Sequence, residues 1–242
     1  MHTILNKTLL ILVLGYTLIT PLVKATQFSG INRISFHDTN YDKSFVGNAF
    51  LIKHNNKLYA VTVKHVFLEA KSPNMNNISI DGHVKEWRVH PNKRPNEYVV
   101  LGRLLNADKS EAIDIKVLQK DWLVFEVKEN HSNLSILTLR ETALTQGEKL
   151  KAYGCSYSSQ ASCQQDIYEG SFLAHEPHNI RVLMPQLDLS KLRGLSGSPV
   201  LDIDNKVVGI VSNVMKSKSG EGFDFAPANL NYLHTVLSRA EN

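Results

Sequence analysis

The chain has 242 residues, of which 43% are hydrophobic and 21% charged, an ordinary globular composition with ample material for a core. Such a length fits one large all-β unit or two small domains. There is no basic run, phosphate-cradling glycine loop, zinc-type Cys/His spacing or internal repeat, so we predict no metal, no organic cofactor and no nucleic-acid partner.

Residues 1–25 have the pattern of a secretory signal peptide. A short polar start precedes the apolar run 8–23. Apolar Val23 and small Ala25 are the third and the first residue before the predicted cleavage point, the two positions that define a signal-peptide cleavage site. The alternative is an uncleaved membrane anchor, but this run is shorter than the ~20 residues of a membrane span, and Pro21 interrupts it. We predict cleavage after Ala25, a secreted or periplasmic location and no stable membrane insertion afterwards. Because the segment carries two lysines and no acid, its removal lowers the net charge from +4 to +2.

Short β-strands are predicted throughout the first half of the remaining chain. Residues 46–52 and 58–63 form a hairpin around a turn at 54–57, and His65 follows directly at the strand end. The stretch 73–95 is polar and is interpreted as a surface excursion. Further predicted strands are 31–36, a short one around 87–89, and 98–101. The other histidines, apart from His2, lack the strand-end context of His65 and are interpreted as surface residues: His37, His54, His83, His90, His131, His175, His178 and His234.

Two carboxylates stand near the next apolar strand, residues 123–127. Asp121 lies just before that strand, and Asp114 lies in the preceding segment 112–115. The non-functional interpretation of Asp114 is a solvent-exposed charge in a loop.

The second half also has short strands at spacings of roughly ten residues, which favours barrels over a parallel α/β sheet. A polar segment, 128–135, looks like the link between the halves. The chain ends in a predicted amphipathic helix at 228–240, with Leu230, Leu233 and Leu237 on one face. The predicted strands here are 149–154, 167–173, 180–184, 200–203 and 207–212.

Cys155 and Cys163 are the only cysteines. In an oxidising compartment they are predicted to close one small disulfide loop, the alternative being two free thiols. Such a bond would stabilise the loop by about 2–3 kcal/mol and would not act as a redox site.

The segment 193–200 places Ser196 between Leu195 and Gly197, with Gly194 two residues upstream. Nucleophilic acyl transfer needs a hydroxyl that projects from a tight turn, with backbone N–H groups aimed at one spot to hold a developing oxyanion. The alternative is an ordinary turn that enters a strand.

This motif resembles that of the trypsin/chymotrypsin-like serine peptidases, and its ending, Ser198-Pro199-Val200, is most similar to the glutamyl-endopeptidase and HtrA-type branches. The resemblance implies that Ser196 is the nucleophile and that the Gly194 and Ser196 amides form the oxyanion hole. Residues 62–65 are similar to the family's T-A-x-H segment, with Val63 in place of the usual Ala.

By the same resemblance His65 is the general base. Asp121 matches the family's strand-start signature better than Asp114, which stays the second candidate for the third member of the triad. The chain order His65, Asp121, Ser196 is that of chymotrypsin and not of subtilisin or the α/β-hydrolases.

The resemblance spans roughly residues 31–237 and implies an all-β fold of two antiparallel six-stranded β-barrels with the active site between them. The expected divisions are a signal peptide (1–25), an N-terminal barrel carrying His65 and Asp121 (26–130), a C-terminal barrel carrying Ser196 (131–227) and a C-terminal helix (228–242). No PDZ-like domain is expected to follow. The implied activity is hydrolysis of protein or peptide substrates through an acyl-enzyme.

The substrate-binding residues implied by the resemblance are Ser190, Ser212, Val214 and Asp224. Ser190 is not the Asp that selects Arg or Lys in trypsin, and Val214 would narrow the pocket in favour of small apolar residues. Asp224 has two interpretations, an inward charge that attracts a basic side chain or an outward charge on a strand. The glutamyl-endopeptidase histidine is missing, so acidic specificity is not predicted.

Leu195 departs from the family pattern, because digestive trypsin-like enzymes carry an Asp there that pairs with a freshly cut N-terminus. We therefore expect activity directly after signal removal, or else an oxyanion loop that needs another trigger to become active.

Two other functions are alternatives to a peptidase: a catalytically silent protease fold used in binding or adhesion, and an exported esterase. Retention of all three triad residues argues against the first, and chain order argues against the common esterase fold. No pattern predicts an oligomeric state.

Overall fold

A computed structural model describes residues 26–185, 188–218 and 220–241. The predicted signal peptide, residues 1–25, lies outside the described residues. In the part that is described, no helix is long and apolar enough to cross a membrane.

The first barrel closes through strands β1, β5, β6, β8, β3 and β2, since β1 pairs with both β5 and β2. β9 extends this sheet by a parallel pairing with β2, and β4 and β7 form a separate ribbon. The strands are β1 Gly30–Phe36, β2 Asn48–His54, β3 Lys57–Thr62, β4 Asn77–Ile78, β5 Val84–His90, β6 Val99–Leu104, β7 Asp108–Ala112, β8 Leu123–Asn130 and β9 Ile136–Leu137.

The β2–β3 hairpin shows why the sequence folds this way locally. Buried apolar residues face each other across it, with Phe50 opposite Val61. Its two-residue loop, Asn55-Asn56, has φ values of 44° and 62°. Two consecutive positive φ angles define a type I′ turn, whose twist matches that of the strands, and Asn tolerates this conformation.

The second barrel closes in the order β10-β11-β12-β15-β14-β13, and all its pairings are antiparallel. Its strands are β10 Lys149–Gly154, β11 Asp166–His175, β12 Ile180–Leu183, β13 Pro199–Leu201, β14 Val207–Lys216 and β15 Phe223–Ala228. A short helix, α1 (Leu189–Leu192), precedes β13. The predicted fold of two antiparallel six-stranded barrels is therefore confirmed.

The C-terminal helix α2 spans Asn231–Arg239 and returns to the first barrel. Its buried residues Leu233, Val236 and Leu237 belong to the same apolar core as the first-barrel strands. The helix begins three residues after the predicted start, because Ala228 still belongs to β15 and the Asn229 side chain accepts a hydrogen bond from the Asn231 N–H at 3.1 Å.

One histidine interpreted as a surface residue is buried. His90 ends β5 with 7% of its surface exposed. Its Nδ1 lies 3.0 Å from the carbonyl oxygen of Pro91, and burial lowers its pKa. A neutral ring that donates to this carbonyl removes the cost of burying a charge.

Candidate active site

The barrel topology brings the ends of β3 and β8 to one edge of the first barrel. These strands are antiparallel neighbours, with Thr62 opposite Leu123. His65 lies shortly after β3 in the 3₁₀ helix Lys64–Leu68, and Asp121 lies shortly before β8. The two side chains meet because the end of one strand adjoins the start of its neighbour.

Ser196 completes a chain of hydrogen bonds across the two barrels. His65 Nε2 lies 2.6 Å from Ser196 Oγ, and His65 Nδ1 lies 2.6 Å from Asp121 Oδ2. The His65 backbone N–H donates to Asp121 Oδ1 at 3.0 Å, and the Ser212 hydroxyl donates to Asp121 Oδ2 at 2.5 Å. Asp121 thus accepts from three donors, and its fully buried carboxylate fixes the orientation of the imidazole through Nδ1.

The electrostatics of the pair follow from burial and mutual attraction. Burial raises the pKa of Asp121, but the charge of His65 and the hydrogen bonds from His65 and Ser212 lower it more, so the net pKa lies below its ordinary value. Burial lowers the pKa of His65, but the negative charge and hydrogen bond of Asp121 raise it above 6.5. The pair therefore favours an ionised Asp121 that stabilises a protonated His65.

The second carboxylate candidate does something different. Asp114 is exposed and accepts a hydrogen bond at 2.7 Å from the Lys116 N–H, at the start of the 3₁₀ helix Ile115–Lys120. It is a local cap, and Asp121 is the carboxylate that contacts His65.

A tight turn before Ser196 positions the backbone amides. Arg193 has φ −62° and ψ 126°, Gly194 has φ 93°, and the Leu195 N–H donates to the Leu192 carbonyl at 3.0 Å. These values describe a type II turn, which needs a positive φ at its third residue. At Gly194 a side chain would also place its Cβ 2.6 Å from the Tyr157 nitrogen.

The direction of the Gly194 N–H is set from outside the turn. The Arg193 carbonyl accepts from the Tyr157 N–H at 2.8 Å. In a trans peptide the C=O and N–H point to opposite sides, so the Gly194 N–H points away from Tyr157. Neither the Gly194 nor the Ser196 N–H donates to a backbone carbonyl of any described residue, which leaves both amides available to a ligand.

The sequence and fold can now be placed among known proteins. A family model described as "Trypsin-like peptidase domain" matches residues 47–210, well over half of the chain. The chain belongs to the trypsin-like peptidase family. No curated protein sequence matches it.

Two solved structures share the fold of this trypsin-like peptidase. A Glu endopeptidase in complex with MPD superposes with a TM-score of 0.57 at 15% identity, over 91% of this chain and 99% of that one. An HtrA-type protease, AlgW with a decapeptide, superposes with a TM-score of 0.53 at 20% identity, over 83% of this chain. The match covers 54% of AlgW, about half its length.

The four residues expected to bind substrate lie in different environments. Ser212 contacts Asp121, and half-buried Val214 lies opposite Phe225 between β14 and β15. Ser190 is exposed in α1, where its N–H and hydroxyl both donate to the Asp188 carboxylate at 3.0 and 2.7 Å.

Asp224 is buried and forms an ion pair with Arg181 at 2.8 Å. Arg181 also pairs with Glu176 at 2.6 Å. The charge of Asp224 is therefore balanced within the protein. Neither interpretation made from the sequence, an inward charge free for substrate or an outward charge in solvent, describes this environment.

Sequence reasoning missed a cavity of about 120 Å³ beside Ser196 and His65. Glu69, Arg193 and Tyr157 are among the residues that line it, and the charged groups of Glu69 and Arg193 lie 3.8 Å from each other. Both charged side chains are more than half exposed, so this pair is weak. Its members are far apart in the sequence, and no local pattern signals their meeting.

Lys64, directly before His65, was also not singled out. Its side chain is completely buried, pairs with Glu111 at 2.6 Å and lies 4.6 Å from the ring centre of Tyr232 in α2. A buried lysine needs such partners. Through them the histidine segment is tied to β7 and the C-terminal helix.

Cys155 and Cys163 form the predicted disulfide. Asn92 donates from Nδ2 to the carbonyls of Gln160 and Cys163, both at 2.8 Å, and so holds the loop to the first barrel. Among the residues that the structure describes, no group of three or more His, Cys, Asp or Glu side chains is placed to hold a metal ion.

Proposed function

We propose that this trypsin-like peptidase is a serine endopeptidase that hydrolyses peptide bonds through an acyl-enzyme after export. The observation that carries the proposal is the continuous hydrogen-bond chain from Ser212 through Asp121 and His65 to Ser196. Nucleophile, base and orienting carboxylate are each within hydrogen-bond reach of the next, as this mechanism requires.

In the proposed mechanism His65 Nε2 removes the proton of Ser196 as Oγ attacks the substrate carbonyl. The carbonyl oxygen becomes an oxyanion that the N–H groups of Gly194 and Ser196 stabilise. His65 then protonates the leaving amine, and the acyl-enzyme remains. A water molecule activated by His65 hydrolyses it, while Asp121 keeps the ring oriented and stabilises its protonated form.

Substrate main chain has a place to bind beside the nucleophile. β14 runs on to Lys216, but its pairing with β13 ends near Val211, whose N–H donates to the Ser198 carbonyl at 2.9 Å. Beyond that point no described strand occupies this edge of residues 212–216. An extended peptide can add to such an edge by main-chain hydrogen bonds.

For specificity we propose a small apolar residue before the scissile bond. Val214 lies in the edge segment where it would narrow the pocket, whereas Asp224 is neutralised by Arg181 and gives no free negative charge to a basic side chain. In this proposal Ser190 and Asp224 shape the pocket through their contacts with Asp188 and Arg181.

A peptide library tests activity and specificity together. The purified protein is expected to cleave internal bonds after small apolar residues, and Val214→Gly is expected to admit larger side chains by removing the narrowing group. Ile203→Gly is the matched control, because Ile203 is a branched apolar residue that is 82% exposed between β13 and β14 and has no part in the proposed pocket. Cleavage confined to bonds after Arg or Lys would contradict the proposed pocket.

Export is proposed from the leader-like residues 1–25 and the disulfide. The residues that follow the predicted cleavage point are docked in the fold, since the Phe28 and Ser29 N–H groups donate to Gln165 Oε1 at 2.6 and 3.1 Å. Cleavage after Ala25 would thus create a new N-terminus just before a segment that is docked in the fold.

The intact mass of the protein recovered from outside the cytoplasm tests this. The expected mass is that of a chain that begins at Thr26 with its two cysteines oxidised. Recovery of the unprocessed chain in the cytoplasm with two reduced thiols would contradict export.

Leu195 fits the expectation of activity without zymogen cleavage. It is 1% exposed and packs in the apolar core of the second barrel. We propose that burial of this side chain anchors the turn before Ser196, in place of an ion pair with a new N-terminus.

A further inference from the structure

Asn48, the first residue of β2, lies between the two barrels with 1% of its surface exposed. Its Nδ2 donates to the carbonyl of Gly194 at 2.7 Å and to that of Cys155 at 3.0 Å. Its Oδ1 accepts from the Cys155 N–H at 3.0 Å. Its backbone N–H donates to the Ser196 carbonyl at 2.6 Å. This one residue of the first barrel therefore contacts the second barrel on both sides of the nucleophile.

The turn from Leu192 to Leu195 needs such external support. Glycine adopts positive and negative φ with similar ease, so Gly194 by itself does not select the type II turn over a type I turn. In the type I form the Arg193–Gly194 peptide is flipped. A carbonyl would then point where the Gly194 N–H points now, and it would repel an oxyanion.

Two donors hold the turn in its present form. The Tyr157 N–H binds the carbonyl of Arg193, and Asn48 Nδ2 binds that of Gly194. One donor thus fixes the Arg193–Gly194 peptide and the other fixes the Gly194–Leu195 peptide. Asn48 supports both contacts, because it also binds the N–H and the carbonyl of Cys155, two residues before Tyr157.

We propose that Asn48 is a positioning residue that keeps the oxyanion turn in the form that can accept a negative charge; this rests on the proposed function. Only a primary amide supplies the two donors and one acceptor used here. Aspartate keeps the shape but has no N–H to offer to the carbonyls of Gly194 and Cys155. Alanine leaves both carbonyls without that donor.

The test compares Asn48→Ala and Asn48→Asp with wild type by the kinetics of labelling with a fluorophosphonate. The inactivation rate constant is expected to fall about 10²-fold or more, as on loss of an oxyanion-hole donor. The probe concentration for half-maximal rate should stay unchanged, because the oxyanion contacts form only in the transition state. In Asn48→Ala, which adds no charge, the pH at half-maximal rate should also stay unchanged, because Asn48 contacts neither His65 nor Asp121.

Asn179→Ala is the matched control for general loss of stability. Asn179 is 7% exposed and donates from Nδ2 to the Ala226 carbonyl at 2.9 Å, so it is a buried asparagine of the second barrel outside the oxyanion turn. Misfolding lowers the fraction of chains finally labelled, whereas a misplaced turn lowers the rate. The proposal is overturned if the Asn48 variants label within threefold of Asn179→Ala, or if only the labelled fraction falls.

A readout independent of activity separates this proposal from the proposed function. Amide hydrogen exchange is measured on peptides covering residues 155–158 and 189–197 in a Ser196→Ala background. Replacing Asn48 is expected to speed exchange at the Tyr157 and Leu195 N–H groups, whose hydrogen bonds define the turn. Unchanged exchange overturns the role of Asn48 even in an active enzyme, whereas an unlabelled wild type with faster exchange in the variant overturns the proposed function alone.

Discussion

Ser196→Ala is expected to lower kcat for peptide hydrolysis by about 10⁶-fold, as removal of the nucleophile does in subtilisin. The change removes the oxygen that lies 2.6 Å from His65 Nε2. Activity that remains would come from oxyanion stabilisation and substrate binding. The measurement is steady-state hydrolysis of a peptide that the wild type cleaves.

Ser198→Ala is the matched control for this change. Ser198 lies two residues further on and is fully buried, and its hydroxyl has no hydrogen-bond partner among the described residues. Its replacement is expected to leave kcat within a few-fold of wild type. The double variant His65→Ala/Ser196→Ala should be no slower than Ser196→Ala, since the two residues act as a unit. Additive losses, or hydrolysis by Ser196→Ala at more than a hundredth of the wild-type rate, would contradict the nucleophile assignment.

Asp121→Asn is expected to lower kcat about 10⁴-fold with little change in structure, because an amide of the same shape stabilises the wrong tautomer of the imidazole. With Nδ2 of the new asparagine as donor, His65 would carry its proton on Nε2. That nitrogen then has no lone pair with which to accept the proton of Ser196.

The pH profile gives a second signature of the same pair. In the proposed mechanism the active base is neutral His65, so kcat/KM is expected to rise as pH passes upward through a His65 pKa above 6.5, since the charge of Asp121 outweighs the effect of burial. In Asp121→Asn that charge is gone and burial still lowers the pKa, so the rising limb should move to lower pH.

Asp114→Asn provides the comparison for both measurements. Asp114 is an exposed cap and the second carboxylate candidate from the sequence. Its replacement should change neither the rate nor the position of the rising limb. A large loss in Asp114→Asn with little loss in Asp121→Asn would reverse the two assignments.

Much of the fold follows from local signals in the sequence. Short apolar runs, a turn at Asn55-Asn56 and the regular spacing of short strands favour barrels over a parallel sheet. The two antiparallel six-stranded barrels are what the family resemblance implies. β15, Phe223–Ala228, was not among the strands predicted with bounds, although one interpretation of Asp224 placed that residue on a strand. It holds Pro227 and two alanines, which are poor strand signals, and its strand form depends on its pairing with β14 and β12.

In the candidate site, too, local sequence signals predict some residues correctly and miss what depends on the folded environment. His65, Asp121 and Ser196 each lie at the edge of a strand or tight turn, and the fold brings these three predicted residues into hydrogen-bond contact. Ser190 and Asp224 were predicted from the family resemblance, which does not tell where a side chain points or whether another residue already neutralises it.

Asn48 illustrates what local patterns cannot provide. Its side chain contacts Gly194, 146 positions away, and nothing in the predicted strand 46–52, where Asn48 lies, signals that contact. Only closure of both barrels creates the contact. Its importance is therefore a property of the packed interface and not of its sequence neighbourhood.

The most direct test of the central claim is reaction of the purified protein, with residues 1–25 removed, with a fluorophosphonate probe, followed by peptide mass spectrometry. Attack by an activated serine oxygen on phosphorus expels fluoride and leaves a covalent adduct. We predict one adduct per chain, located on Ser196 and absent from Ser196→Ala. A well-folded wild type that stays unlabelled, or that carries the adduct elsewhere, would contradict an activated Ser196 and favour a silent binding protein with a peptidase fold.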